Sequence, residues 1–297
     1  MRHVYECPVR WADLDLLGHV NNVTYVDYLQ EARIDMLLTH APDSRATDLA
    51  EGVVVVRHDV SYLRPLTFRS EPVKIDSWVS EIRAATFTMA YEVYDETPEG
   101  RVVYLRATSV LTPFVFAEER PRRISAAEKE TLSRFLEDSP LPPVGATTPA
   151  RHNEISRYPL RVRFSDVDVY GHVNNVKYFE FFQEARIAYM SRIWDGVSEG
   201  SSKVPMVLAQ MNVDYRTPIL FRPDAYDIHS WVSHVGNSSF VVESEIRDPL
   251  AGDRDAGGTL LSRARVVMVT FDPTTQRAAP APEAYRELLR RELSRAS

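Results

Sequence analysis

Cysteine occurs once in 297 residues, at Cys7, so the chain can build neither an intramolecular disulfide nor a cysteine metal cluster. A lone thiol in an apolar, strand-like setting reads as a buried residue in a reducing cytoplasm. Long apolar runs are also missing. The longest are short pieces such as Val53–Val56, far below the ~18 residues of a membrane span. The first residues, MRHVYECPVRWADLD, are charged from the start and lack the apolar core of a signal peptide. Surplus positive charge is absent too. A net charge of −7 and a pI of about 5.7 argue against nucleic acid or membrane as a partner.

What remains is ordinary globular usage, 44% hydrophobic and 26% charged. At 297 residues the chain exceeds the usual single core, so two domains of roughly 140 residues are expected. The sequence itself marks them, because it writes one stretch twice. Residues 10–34 read RWADLDLLGHVNNVTYVDYLQEARI and residues 163–187 read RFSDVDVYGHVNNVKYFEFFQEARI, with 15 of 25 positions identical. A shift of 153 carries Asp15 onto Asp168, Gly18 onto Gly171, His19 onto His172 and Tyr25 onto Tyr178. Packing alone seldom dictates such polar identities, so the repeat points to shared chemistry as well as shared fold. Cys7 meets Leu160 under the same shift, which removes it from that chemistry.

Taken in order, residues 3–11 read as a strand and 12–21 as a polar loop. A helix should start at Asn21 or Asn22, since asparagine is a good N-cap, and run to about Thr39. Its apolar residues are not confined to one stripe, and neither are those of the copy from Val176 to Ile193, so each helix should be wrapped by other structure. Strand-like runs follow at 53–63, 71–82, 86–95 and 102–116, and again at 206–215, 225–234, 239–247 and 259–271. Alternation in Lys74–Ser80 and Phe87–Tyr94 fits an antiparallel sheet with one solvated face. Beyond Trp78/Trp231 and Phe87/Phe240 the shift slips by four residues, because loop 250–258 is longer than loop 96–100. Each half closes with a polar helix, signalled by the capping-box pair Ser125 and Glu128 and by Pro282. The Pro-rich stretch SPLPPVGATTPA reads as a semi-stiff linker. The expected organisation is therefore domain 1–138, linker 139–152 and domain 153–297. Each domain is α+β, a long buried helix wrapped by a five-stranded antiparallel sheet. An open sheet edge in each unit invites edge-to-edge pairing, and self-association of such chains is expected.

The repeated loop carries the candidate chemistry. Asp15 lies seven residues before Asn22, with Gly18 permitting a tight turn between them. A helix start offers free backbone N–H groups and partial positive charge. A carboxylate and such donors around one small space suit a carbonyl under attack, the donors holding the oxyanion and the carboxylate attacking or activating water. Aspartate is ionised at neutral pH, so base or nucleophile is its natural role. His19 and His172 are candidates to orient water, hold the carbonyl oxygen or protonate the leaving group. Asp13 and Asp166 should tie the loop down, for instance through Arg10 or Arg163. Asn21, Asn22, Asn174 and Asn175 are capping candidates. Glu31 and Glu184, inside a buried helix, should pair with Arg33 and Arg186. The spacing D-x-D-x-x-x-H matches no common zinc site, and no metal or cofactor is expected. The G-x-S-x-G match at 196–200 follows the end of a helix, has no copy at 43–47, and reads as a loop.

With D-x-D-x-x-G-H-V-N-N-x-x-Y present twice, the chain resembles the hotdog-fold acyl thioesterases of the 4-hydroxybenzoyl-CoA thioesterase type, in particular the branch that includes acyl-ACP thioesterases. The resemblance covers both halves and implies a double hotdog. It implies hydrolysis of an acyl thioester, acyl-CoA or acyl-ACP, with the catalytic Asp falling on Asp15 and Asp168 and a site His on His19 and His172. It also implies sites between paired hotdogs, near the helix start, where Gly18, Asn21, Asn22, Tyr25, Tyr62 and their copies Gly171, Asn174, Asn175, Tyr178 and Tyr215 would contact substrate. The acyl-ACP branch carries an Asn between its Asp and His, where this chain has Leu17 and Tyr170. Two other readings stand beside hydrolysis, a hydratase or dehydratase acting on acyl thioesters and an acyl-CoA-binding protein without turnover.

Overall fold

A computed structural model of the chain describes residues 1–40, 52–139, 147–150, 154–195, 205–253, 257–272, 274–275 and 277–294. They divide into two compact units, Met1–Val144 and Gly145–Ser297. The division falls inside the expected linker 139–152, of which residues 140–146 and 151–152 lie outside the described residues, as does the whole of 196–200.

In the first unit β1 (His3–Cys7) is followed by a single 3-10 turn at Trp11–Asp13 and by helix α1 (Thr24–His40). Then come β2 (Val53–Tyr62), β3 (Val73–Ile82), β4 (Phe87–Thr97) and β5 (Gly100–Val115). The strands pair antiparallel in the order β1-β3-β4-β5-β2, with the two-residue β6 (Arg120–Pro121) attached to β5. Helix α2 (Ala126–Ser133) closes the unit. Its capping box is the one read from sequence: Glu128 N–H donates to Ser125 Oγ (3.2 Å) and Ser125 N–H to Glu128 Oε2 (2.6 Å).

The second unit repeats this with β7 (Arg157–Leu160), helix α3 (Asn175–Trp194), β8 (Met206–Tyr215), β9 (Tyr226–Val235), β10 (Ser239–Asp248) and β11 (Thr259–Asp272). The order is β7-β9-β10-β11-β8, with β12 (Arg277–Ala278) on β11 and helix α4 (Glu283–Ser294) at the end. Pro282 stands just before α4, and its carbonyl accepts from Tyr285 N–H (3.0 Å) and Arg286 N–H (3.2 Å).

The sheets bend at matching places. One-residue bulges fall at Ser80 and Val56 in the first unit and at Ser233 and Ala209 in the second. Each bulge adds twist, and together they let a five-stranded sheet curl round a helix. Helix α1 lies against β1 and β3, and buries Tyr25, Val26, Tyr28, Leu29, Ala32, Met36 and Leu37. In α3 the buried set includes Val176, Tyr178, Phe179, Phe181, Phe182 and Ala185, and its far end packs with Val232, Phe240 and Leu289. Each Val, Leu, Phe or Met side chain among them, removed from water, contributes about 1.5–3 kcal/mol.

Two expectations need correction. The helices are not enclosed all round, because Asp27, Glu31 and Leu38 form an exposed stripe on α1 and Glu184 and Ile187 one on α3. Glu31 and Glu184 are therefore solvated and need no buried partner, and the expected partners Arg33 and Arg186 are the ones that are buried. Exposed Leu38 and Ile187 blur the helical pattern that sequence periodicity relies on. Nor is the outer sheet face fully solvated. Asp76, Trp78, Glu92 and Tyr94 are buried there, with the Arg2 guanidinium 3.9 Å over Trp78 and that of Arg101 3.5 Å over Tyr94. Residues of the Pro-rich stretch join the second unit as well. Thr148 donates to the buried Glu243 through its N–H (3.1 Å) and Oγ1 (3.1 Å), and accepts from Trp231 Nε1 at 3.0 Å.

Two local features make predictions. Burial pushes the Cys7 thiol up to about 12, so no thiolate forms near neutrality. Native protein is expected to resist alkylation by iodoacetamide at pH 8, and denatured protein to react fully. At the end of α1, His40 Nε2 lies 3.0 Å from His3 Nδ1, and His3 Nε2 lies 2.8 Å from Asp35 Oδ2. Burial, then the neighbouring His3, holds His40 below the ordinary histidine range, against a smaller opposing effect of Asp35. A histidine lowered on folding leaves stability intact above its unfolded value, about 6.5, and costs stability as pH falls below it. The thermal midpoint should therefore drop between pH 7.5 and 5.5, and less steeply in His40→Gln. An equal slope in the two proteins would remove His40 from the explanation.

Candidate active site

The repeated loop folds as a short hairpin closed by a turn over Asp15–Gly18. Asp15 N–H donates to the His19 carbonyl (2.7 Å) and Gly18 N–H to the Asp15 carbonyl (3.0 Å), with Leu14 bridged to Val20. Gly18 has φ +76° and Gly171 φ +80°, a conformation L side chains rarely adopt, which is why glycine closes both turns. The Asp15 side chain helps to form this turn. Its Oδ1 accepts from Leu17 N–H (2.8 Å) and His19 N–H (3.2 Å), and Asp168 Oδ1 accepts from Tyr170 N–H at 2.9 Å. Neither carboxylate meets an arginine or lysine among the described residues, and the second oxygen of each makes no hydrogen bond there.

Asp13 and Asp166 hold the loop from behind. Their Oδ2 atoms accept from the backbone N–H of Arg10 and Arg163 at 2.7 Å in both cases, so the expected tie exists but runs through the amides and not the guanidinium groups. Tyr28 adds its hydroxyl to Asp13. The second copy has Phe181 there, so Asp166 lacks that bond. The carbonyls of Asp13 and Asp166 accept from Asn21 and Asn174 N–H (2.8 and 2.9 Å).

At the helix start Asn21 Oδ1 accepts from Val23 N–H and Asn174 Oδ1 from Val176 N–H, both at 2.9 Å. Asn174 is thus the cap of α3, while Asn21 makes the same bond one turn ahead of α1, which begins at Thr24. The second asparagine of each pair offers its carbonyl to a tyrosine, Tyr62 Oη to Asn22 O at 2.8 Å and Tyr215 Oη to Asn175 O at 2.9 Å. Asn22 Nδ2 is buried without a hydrogen-bond partner. Tyr25 and Tyr178 are buried, with ring centroids 5.8 and 4.9 Å from Tyr62 and Tyr215. The Tyr178 hydroxyl accepts from Ile219 N–H at 3.0 Å, and Tyr25 bonds the backbone of Leu66 in the same way. Burial pushes both phenols up, and the charges of Asp15 and Asp168 add a smaller contribution in the same direction.

The structure therefore gathers Asp15, Gly18, His19, Asn21, Asn22, Tyr25 and Tyr62, and their copies, around each helix start. It does not leave all the expected donors free. In the first unit the amides of Gly18, His19, Val20 and Asn21 are consumed within the loop or by the Leu66 carbonyl. The available amides move one step on, to Asn22 and to the first helical positions Thr24 and Tyr25, which have no intrahelical acceptor. His19 touches Asp15 through its backbone only. Leu17, at the position where the acyl-ACP branch carries Asn, is 61% exposed. Leu66 and Ile219 join the site through backbone atoms, which no side-chain pattern reveals.

The chain belongs to the thioesterase-like superfamily, whose profile matches residues 9–135 and again 162–289. It is 28% identical over 137 residues to the long-chain acyl-CoA thioesterase FadM of Escherichia coli strain K12, covering 44% of this chain and 93% of FadM. It is 26% identical over 129 residues to the acyl-CoA thioester hydrolase YbgC of Escherichia coli O6:H1, covering 43% of this chain and 90% of YbgC. The solved structure of a 12:0-ACP thioesterase from Umbellularia californica superposes with a TM-score of 0.65 at 17% identity, over 91% of this chain and 94% of that one. That likeness establishes the shared fold, two hotdog units in tandem.

Proposed function

We propose that the protein hydrolyses acyl-CoA to the free acid and CoA, with Asp15 and Asp168 as nucleophile or general base. The observation that carries this reading is the duplicated carboxylate, held by its own turn beside a helix start and paired with no cation among the described residues. The thioester carbonyl would sit against the remaining helix-start amides, with Asn22 Nδ2 as a further donor in the first unit. Attack by water activated by the aspartate, or by the aspartate itself followed by water, breaks the C–S bond. Oxygen from water stays with the acyl group, and the sulfur leaves as the CoA thiol after taking up a proton. His19 and His172 are the candidates to deliver that proton or hold the water. CoA is favoured over a carrier protein because both named sequence relatives are described as acting on acyl-CoA. On this reading the enzyme works in the cytoplasm, and its double-hotdog chains associate with one another.

The test is a thiol-release screen over short, long and aromatic acyl-CoAs and an acyl carrier protein. Turnover of an acyl-CoA class is the expected result, and turnover of acyl carrier protein alone would replace the carrier assignment.

A further inference from the structure

We propose that Tyr62 and Tyr215 are positioning residues for the donors at the two helix starts, an inference that rests on the hydrolytic reading above. In each unit one peptide group is held at both ends. Between Asn22 and Val23, the carbonyl accepts from Tyr62 Oη at 2.8 Å and the N–H donates to Asn21 Oδ1 at 2.9 Å. Between Asn175 and Val176, the carbonyl accepts from Tyr215 Oη at 2.9 Å and the N–H donates to Asn174 Oδ1 at 2.9 Å. The two copies differ at 10 of 25 positions in the repeated stretch and have kept this arrangement in both. The pinned peptide sets the direction of the amides that follow it, and in the first unit those amides matter because the loop consumes the ones before it.

Packing fixes the tyrosines in turn. Tyr62 ends β2 and Tyr215 ends β8, each ring edge-on to the buried tyrosine of the first helical turn. With its hydroxyl committed to a carbonyl, neither Tyr62 nor Tyr215 is placed as a hydrogen-bond donor to substrate. The role is therefore to orient, and it differs from lining a pocket. A donor displaced by a fraction of an ångström stabilises the transition state less while ground-state binding persists.

The test uses the full chain carrying Tyr62→Phe and Tyr215→Phe together, which keeps both rings and removes only the two hydroxyls. Two readouts are taken. Hydrogen exchange is followed in peptides covering residues 20–30 and 173–183, and kcat and KM are measured separately on the best acyl-CoA. Exchange at the helix starts should rise about tenfold with the sheets unchanged, and kcat should fall at least tenfold with KM within twofold. Tyr94→Phe serves as the control, since its hydroxyl bonds Asp76 on the outer face (2.8 Å) and its loss should leave kcat unchanged. Unaltered exchange at the helix starts overturns the proposal whether or not the protein is a hydrolase. A raised KM at constant kcat overturns it in favour of direct substrate contact. If wild type releases no thiol, the hydrolytic reading fails on its own, and the exchange result still decides whether the tyrosines hold the peptide.

Discussion

Asp15→Asn combined with Asp168→Asn is expected to cut thiol release by about 10²–10⁴-fold, the range of a lost general base, while the protein stays folded. Both halves of that expectation follow from the turn. The bonds from Leu17 and His19 N–H end on Asp15 Oδ1, and that from Tyr170 N–H on Asp168 Oδ1. An asparagine carbonyl oxygen accepts the same bonds, so the loop keeps its shape and loses only the negative oxygen. The single variants should each retain about half the activity if the two loops work independently, and much less if one loop dominates. Asp15→Ala is a poorer test, because it removes the turn bonds together with the charge and costs about 1 kcal/mol at the loop. Circular dichroism melts taken with the rates separate the two effects. Wild-type turnover in the double Asn variant would end the assignment of both carboxylates.

Glu245→Ala should produce the largest loss of stability, about 3–5 kcal/mol, the usual result of breaking a buried ion pair from one side. The Glu245 side chain is 1% exposed, and its oxygens accept from Arg263 Nε (2.9 Å) and Arg247 Nε (2.8 Å). Burial alone would raise its carboxyl, but the two guanidinium groups more than offset that and hold it below the usual carboxylate range. Removing the carboxylate leaves two part-buried cations facing one another. It also loosens the seat of the preceding segment, because Arg263 Nη1 donates to Thr147 Oγ1 at 3.1 Å. For a unit of this size the thermal midpoint should fall by roughly 10 °C. Since the folded carboxyl is depressed, this stability is present above the unfolded value of about 4.3 and is lost as pH falls through that region. Glu245→Gln keeps part of the hydrogen bonding and should lie between. A midpoint unchanged by Glu245→Ala would show that the ion pairs contribute nothing net.

The pair also shows why so much of the fold was legible in the sequence. Glu92 faces Arg106 across β4 and β5 as Glu245 faces Arg263 across β10 and β11. The glutamates are separated by the 153 shift and the arginines by four residues more, as the longer second loop requires. Duplication supplied a second reading of every element, so strand limits agree with expectation to within a few residues and Asn174 caps α3 where the repeat placed it, whereas α1 begins at Thr24, two residues past the expected start. The miss on Glu31 and Glu184 came from apolar residues on the solvent stripe, which hid the period of the helix. The overestimate of free amides came from turn chemistry. The sequence D-L-L-G names a turn, but not that its aspartate and Leu66 would consume four N–H groups. Such competition between backbone donors is settled by three-dimensional proximity, and Leu66 is distant in sequence.

The most direct measurement is a mass balance on wild-type protein incubated with a large excess of the best acyl-CoA in ¹⁸O-water. Hydrolysis predicts one free thiol and one labelled carboxylic acid per acyl-CoA consumed, over many turnovers. Water added to the acyl chain with CoA still attached, or tight uptake of one acyl-CoA per site with no product, would contradict it.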